Sequence, residues 1–239
     1  MNAAQALKKL AALGTAQNRK VYARHGVTGA MFGVSYANLG KLAREVLREH
    51  ELEHELALEL WASANHDARV LATMIADPER LGARELGRWV KALDNYVLTD
   101  AFAKLAARSP AGQDAALEWL ADSGEWVSTA GWSTLCWSLQ AGAELEETEL
   151  RGHLRTIEKR IHSAKNRTRY AMNSALIGIG IGSPALRAEA LATAERIGPV
   201  AVDHGATGCK TPDAAQYIRK VLEHRGKKKT AKKARAAKR

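Results

Sequence analysis

Cysteine is almost absent from this chain. Its two copies, Cys136 and Cys209, are too few for a disulfide framework and sit in unlike settings. Cys136 lies between Leu135 and Trp137, whereas Cys209 falls in the turn-rich stretch from Asp203 to Pro212. Asp203, His204 and Cys209 are potential metal donors, but no CxxC and no fourth donor at finger spacing accompanies them, so neither a metal nor a cofactor is expected. Long apolar runs are also missing: none approaches the roughly 20 residues that cross a bilayer. The opening Met1-Asn-Ala-Ala-Gln-Ala-Leu-Lys-Lys-Leu10 has no apolar signal core, so no membrane partner is expected and a cytoplasmic location is inferred. Alternating β-branched runs are scarce, which argues against strands.

What the chain does have is 46% hydrophobic residues over 239 positions, enough for a substantial core. The apolar positions recur at three- and four-residue steps between short punctuations, so the predicted class is all-α. Asn65-His66-Asp67 reads as a capped start for a helix carrying Val70, Leu71, Met74 and Ile75, which Asp77-Pro78 ends, with Asp67 as a structural cap. Ser109-Pro110, Ser183-Pro184 and Thr211-Pro212 each place a capping hydroxyl before a proline suited to a first helical position. Helix pairs of roughly 35 to 45 residues, none able to bury its own apolar face, predict an α-solenoid of HEAT-like pairs forming a curved superhelix, with a compact bundle as the alternative.

The formal charge of +10 is unevenly placed. Eight basic residues and no acid follow Gly226, among them Lys227, Lys228 and Lys229, leaving 28 basic against 26 acidic residues before them. The expected organisation is therefore a repeat domain over 1–222 and a basic tail over 223–239, disordered alone and drawn to polyanions. Within the body, Arg151, Arg155 and Lys159 form a basic stripe on a helix beginning near Glu147, suited to phosphates or simply to solvent. Trp61, Trp119 and Trp137 read as core, whereas Trp132 is the tryptophan expected to face a nucleic acid. Arg69, early in its helix, is a candidate phosphate contact.

The stretch Trp89 to Asp100 also reads as helical, with Leu86, Val90, Leu93, Leu98, Phe102 and Leu105 as its core stripe. Tyr96 and Asp100, four apart, then share a face off that stripe. A tyrosine ring suits a deoxyribose, and a carboxylate suits positive charge developing at an anomeric carbon. An exposed helix face without chemistry is the competing account of the pair.

Gly33-Val34 before a helix, the run Leu58 to Arg69, the segment Asp94 to Asp100, and Glu125 to Trp132 occur in an order that resembles the DNA alkylation repair (AlkD-like) family, over roughly residues 20–222. Arg169-Tyr-Ala-Met-Asn173 and Val202 to Asp213 look like one branch of it. The resemblance implies a C-shaped array of HEAT-like pairs holding double-stranded, alkylated DNA on a basic concave face. It further implies removal of cationic N3- or N7-alkylated purines without a base-flipping pocket, Asp100 falling on the catalytic aspartate. Three positions depart from the family pattern. Tyr96 stands where the family usually has a tryptophan, Thr129 where it presents an arginine, and Asn173 near another tryptophan. The resemblance thus leaves two readings, a monofunctional monomeric glycosylase and a catalytically silent DNA-binding relative; a protein-interaction scaffold is a third.

Overall fold

The computed structural model describes residues 1–48 and 53–236, with side chains as far as Lys227. Among these residues there are thirteen helices and no strand. In order they are α1 (Ala3–Leu13), α2 (Ala16–Arg24), α3 (Tyr36–Val46), α4 (His54–Ala62), α5 (His66–Ile75), α6 (Ala83–Lys91), α7 (Tyr96–Ala106), α8 (Pro110–Ala121), α9 (Glu125–Ala141), α10 (Glu147–Arg160), α11 (Asn166–Gly182), α12 (Arg187–Ile197) and α13 (Ala214–Ala236). No helix among the described residues is long and apolar enough to cross a membrane.

The chain forms two compact units, the first made of Met1–Leu135 with Asp203–Cys209 and the second of Cys136–Val202 with the chain from Lys210 on. In the first unit α5 is central, packing on α3, α4 and α7. It buries Val70, Leu71 and Ile75 completely, and burying each such side chain is worth about 1.5–3 kcal/mol. Trp61 and Trp89 stack with parallel rings 4.0 Å apart, and Phe102 bridges toward Trp119 at 5.5 Å. In the second unit α11 is central, packing on α10, α12 and α13.

The helix starts depart from the sequence reading in instructive ways. Asn65 does cap α5, accepting from the Asp67 and Ala68 amides at 3.0 and 3.2 Å, but Asp67 itself is not a cap. Pro110 opens α8 as expected, yet Ser109 Oγ donates to Leu81 O at 3.1 Å instead of capping. After Ser183-Pro184 an irregular turn intervenes, Ser183 Oγ accepting from Leu186 N, and α12 starts only at Arg187. Asp213, not Thr211, receives the Gln216 amide at the start of α13. The helix pairs are shorter than expected in the first unit: α4, α6 and α8 begin at residues 54, 83 and 110, against 147 and 187 for α10 and α12. The nine-residue α4 and α6 account for the tighter spacing. The backbone of α13 continues past Leu222 into the lysine-rich stretch.

Candidate nucleic-acid interface

The segment read as one helix from Trp89 to Asp100 is broken. α6 ends at Lys91 and α7 begins at Tyr96, because Asn95 caps α7 by accepting the Leu98 amide at 3.0 Å. Asp94 and Asn95 are turn-forming residues, and a cap here outweighs the apolar periodicity that runs through them. All six positions of the expected apolar stripe are nonetheless buried. Tyr96 therefore stands at the first helical position and Asp100 one turn on, exposed to solvent.

Three other pieces of the first unit meet this helix start. His25 ends α2, and its Nδ1 hydrogen-bonds the Tyr96 hydroxyl while the two rings meet edge to face at 5.7 Å. Tyr36 opens α3 behind its cap Ser35 and remains 52% exposed. Its phenol is pushed above the ordinary range, first by partial desolvation and then by the Asp100 carboxylate. Asp100 thus lies near two tyrosines, Tyr96 on its own helix and Tyr36 on another.

The connection between α2 and α3 is held from below by Asp67. This fully buried carboxylate accepts three backbone N–H groups, Phe32 at 2.6 Å, Gly33 at 3.0 Å and Val34 at 2.8 Å. Gly33 has φ +80°, and a Cβ there would meet Thr15 O at 2.7 Å, so only glycine fits the turn. Tyr22, 8% exposed, donates to Val34 O at 2.5 Å, and burial followed by the Asp67 charge raises its pKa to about 12. His66 completes the support. Its backbone N–H donates to Ala30 O at 2.8 Å, and its ring meets Tyr22 edge-on at 5.0 Å and lies 3.5 Å from Asn95 Nδ2. Burial lowers the His66 pKa; the Asp67 and Asp94 carboxylates oppose that shift and Arg69 adds to it.

The other expected site residues fall elsewhere. Trp132 is fully buried, so its ring is packing and not a face for a ligand; the apolar and small residues on either side of it along α9 give the same signal. Thr129 and Asn173 are buried as well, at 5% and 1% exposure, and Asn173 Nδ2 donates to Pro212 O at 3.0 Å. Arg69 is committed internally: its guanidinium reaches Trp61 O and Ala92 O at 3.3 and 3.4 Å and lies over the Trp61 ring. It ties α4 to the turn before α7 instead of presenting a free charge. Trp137, expected in the core, is half-buried.

In the second unit Arg151 pairs with Glu189 at 2.8 Å, while Arg155 and Lys159 are exposed on α10. Lys227 pairs with Glu223 at 2.6 Å, and the side chains of Lys228 and Lys229 lie outside the described residues. No three His, Cys, Asp or Glu side chains come together as a metal site among the described residues. Asp203 instead accepts the Gly205 amide at 2.7 Å within a local turn.

His25 and Tyr36 are the residues that sequence reading missed. His25 carries no motif, and Tyr36 had only its position after the Ser35 cap to mark it. The resulting cluster offers two tyrosine rings about one carboxylate, a surface able to pack on a sugar and stabilise positive charge beside it.

Comparison with known proteins is consistent across sequence and structure. Residues 6–218 match the profile of a family described as DNA alkylation repair enzyme. An uncharacterized protein of Listeria innocua, Lin0241, is 29% identical over 218 residues, covering 89% of this chain and 94% of its own length. A second, Lmo0209 of Listeria monocytogenes, is 28% identical over the same span. A solved structure from a family related to the HEAT-like repeat DNA glycosylases, with affinity for branched DNA structures, superposes with a TM-score of 0.83 at 30% identity, covering 94% of this chain and 95% of that one. The chain therefore belongs to the DNA alkylation repair enzyme family.

Proposed function

We infer that the protein binds DNA and excises cationic N3- or N7-alkylated purines as a monofunctional glycosylase, with Asp100 supplying the catalytic carboxylate. The observation that carries this reading is the placement of Asp100, exposed one turn from the helix start that Asn95 caps and near both Tyr96 and Tyr36. A positively charged alkylpurine leaves readily, so no acid is needed to protonate it. The demand on the protein is to stabilise an oxocarbenium-like sugar and to orient water, which an exposed carboxylate flanked by rings can meet. Tyr96 is held by His25 and packs against the sugar-phosphate backbone; Arg155, Lys159 and the lysine-rich segment supply phosphate attraction.

A second reading, a DNA-binding protein without excision activity, is favoured by a specific observation. Trp132, the ring expected to face DNA, is fully buried, and Thr129 and Asn173, which replace the family's arginine and tryptophan, are buried as well, so none of the three offers a charge or a ring to DNA. The structural relative's affinity for branched DNA structures supports branched DNA as the ligand of that reading. Asp100→Asn separates the two. Under the glycosylase reading it lowers base release at least about 100-fold, the scale of one electrostatic transition-state contact, while duplex affinity holds or rises slightly. Under the second reading, base release from methylated DNA never exceeds the protein-free background and branched DNA outcompetes blunt duplex.

A further inference from the structure

The second unit contains a cleft of about 690 Å³ between the end of α9, one face of α11 and the first turns of α13. It lies apart in sequence from the Asp100 cluster, and none of the expected site residues lines it. Its lining includes Gln140, Ser174, Tyr217 and two cations, Lys210 and Arg225, and contains no carboxylate. Lys210 and Arg225 are exposed and make no ion pair among the described residues. Their neighbours differ: Arg219 is paired with Glu195, Arg196 with Glu158, and Lys227 with Glu223. Tyr217 is 46% exposed, and its hydroxyl has no partner among the described residues. Gln140 donates one amide N–H to Cys136 Sγ at 3.2 Å, which leaves its amide oxygen for another donor.

We propose that this cleft binds an unpaired nucleotide of a DNA strand, with the base stacked on Tyr217, its edge toward Gln140, and the flanking phosphates at Lys210 and Arg225. The proposal rests on the DNA-binding reading above and narrows it to substrates with a single-stranded element. An open aromatic face beside unpaired cations is the chemistry of single-strand recognition. A base inside a duplex has both faces covered by its neighbours, so only an unpaired one can offer a face to Tyr217. The volume falls in the range of small-ligand sites, and the absence of carboxylates from the lining removes the repulsion that would exclude a phosphate.

The test uses the full chain and fluorescence anisotropy with labelled (dT)8 and a labelled blunt duplex, and with unlabelled dTMP as competitor. Tyr217→Ala should weaken (dT)8 binding about 5- to 150-fold, the range for loss of one base–aromatic stack, and change blunt-duplex binding less than about twofold. Tyr217→Phe, which keeps the ring, should bind (dT)8 like the unaltered protein. Lys210→Ala with Arg225→Ala should flatten the salt dependence of (dT)8 binding by about one to two units of log–log slope. Far-ultraviolet circular dichroism confirms that each variant is folded, as substitution of exposed side chains allows. Unchanged (dT)8 affinity in Tyr217→Ala, with duplex binding intact, overturns the cleft assignment and spares the DNA-binding reading. Competition by dTMP at concentrations matching (dT)8 overturns the strand assignment in favour of a free nucleotide. If the unaltered protein binds neither DNA, both readings fall together.

Discussion

Replacing Asp67 with alanine should destabilise the first unit by about 3–5 kcal/mol, the cost of removing one partner from a buried charged network. The magnitude follows from what the carboxylate does. It is fully buried and accepts the Phe32, Gly33 and Val34 amides, all within 3.0 Å. Hydrogen bonds to a charged group contribute about 1.5–3 kcal/mol each, and they are not additive. Alanine leaves the Gly33 and Val34 donors buried without an acceptor, while the partly buried Phe32 end can recover some hydration. Asp67→Asn keeps one acceptor oxygen but turns an N–H toward the donors, so roughly half the loss is expected. Urea unfolding followed by tryptophan fluorescence reads this unit selectively, since five of the six tryptophans lie between Trp61 and Trp132. With an m-value near the upper end of about 1–3 kcal/mol/M, the midpoint should fall by about 1–2 M. A shift corresponding to less than about 1 kcal/mol would refute the role given to Asp67. A functional effect should accompany the loss: loosening residues 32–34 frees Tyr36 and the Val34 carbonyl that Tyr22 grips, so DNA binding should weaken under conditions where the variant is still folded.

Other outcomes follow from the same geometry. Tyr22 has a folded pKa of about 12 against an ordinary 10, so the stability it contributes is complete below pH 10 and is lost as pH rises toward 12. That loss amounts to about 2–3 kcal/mol, and Tyr22→Phe should flatten this alkaline limb in pH-resolved urea titrations. His66 has a lowered pKa, so its contribution is complete above about 6.5 and is lost as pH falls below it, with a slope of at most about 1.4 kcal/mol per pH unit. His66→Gln should reduce that acid slope whatever its effect on absolute stability. Deleting residues 227–239 should weaken undamaged-duplex binding and lower the log–log salt slope by several units, at roughly 0.9 per phosphate contact; Arg155→Ala should remove about one more. Unchanged slopes for both would make these charges mere solvated surface.

The all-α class and most of the core were readable from residue spacing, because a helix must repeat its apolar positions every three or four residues. Leu86, Val90, Leu98, Phe102 and Leu105 were assigned to the core on that ground and are buried. The same periodicity misled at Asp94-Asn95, where it runs unbroken through a cap that only local hydrogen bonding reveals. Asp100 and Tyr96 could be picked out because carboxylate and ring share a helix, a relation internal to one segment. His25, Tyr36 and Asp67 could not be placed with them, since their roles come from α2, α3 and α5 meeting at the start of α7 across as many as 71 residues. Asp67 in particular looks like an ordinary helix-start acid until its three amide partners, 33 to 35 residues earlier, are seen. Trp132 erred the other way. A large aromatic in the middle of a helix suits either a core or a ligand, and the small and apolar residues around it in α9 are the sign that it packs inward.

The central claim, that Asp100 makes this chain a glycosylase, is tested most directly by single-turnover release of 3-methyladenine and 7-methylguanine from methylated duplex DNA, with enzyme in excess. The unaltered protein should release these bases well above the rate of spontaneous depurination, and Asp100→Asn should release them only at the spontaneous rate at matched DNA occupancy. Release by Asp100→Asn at the unaltered rate, or no release by the unaltered protein at full occupancy of the DNA, would contradict it.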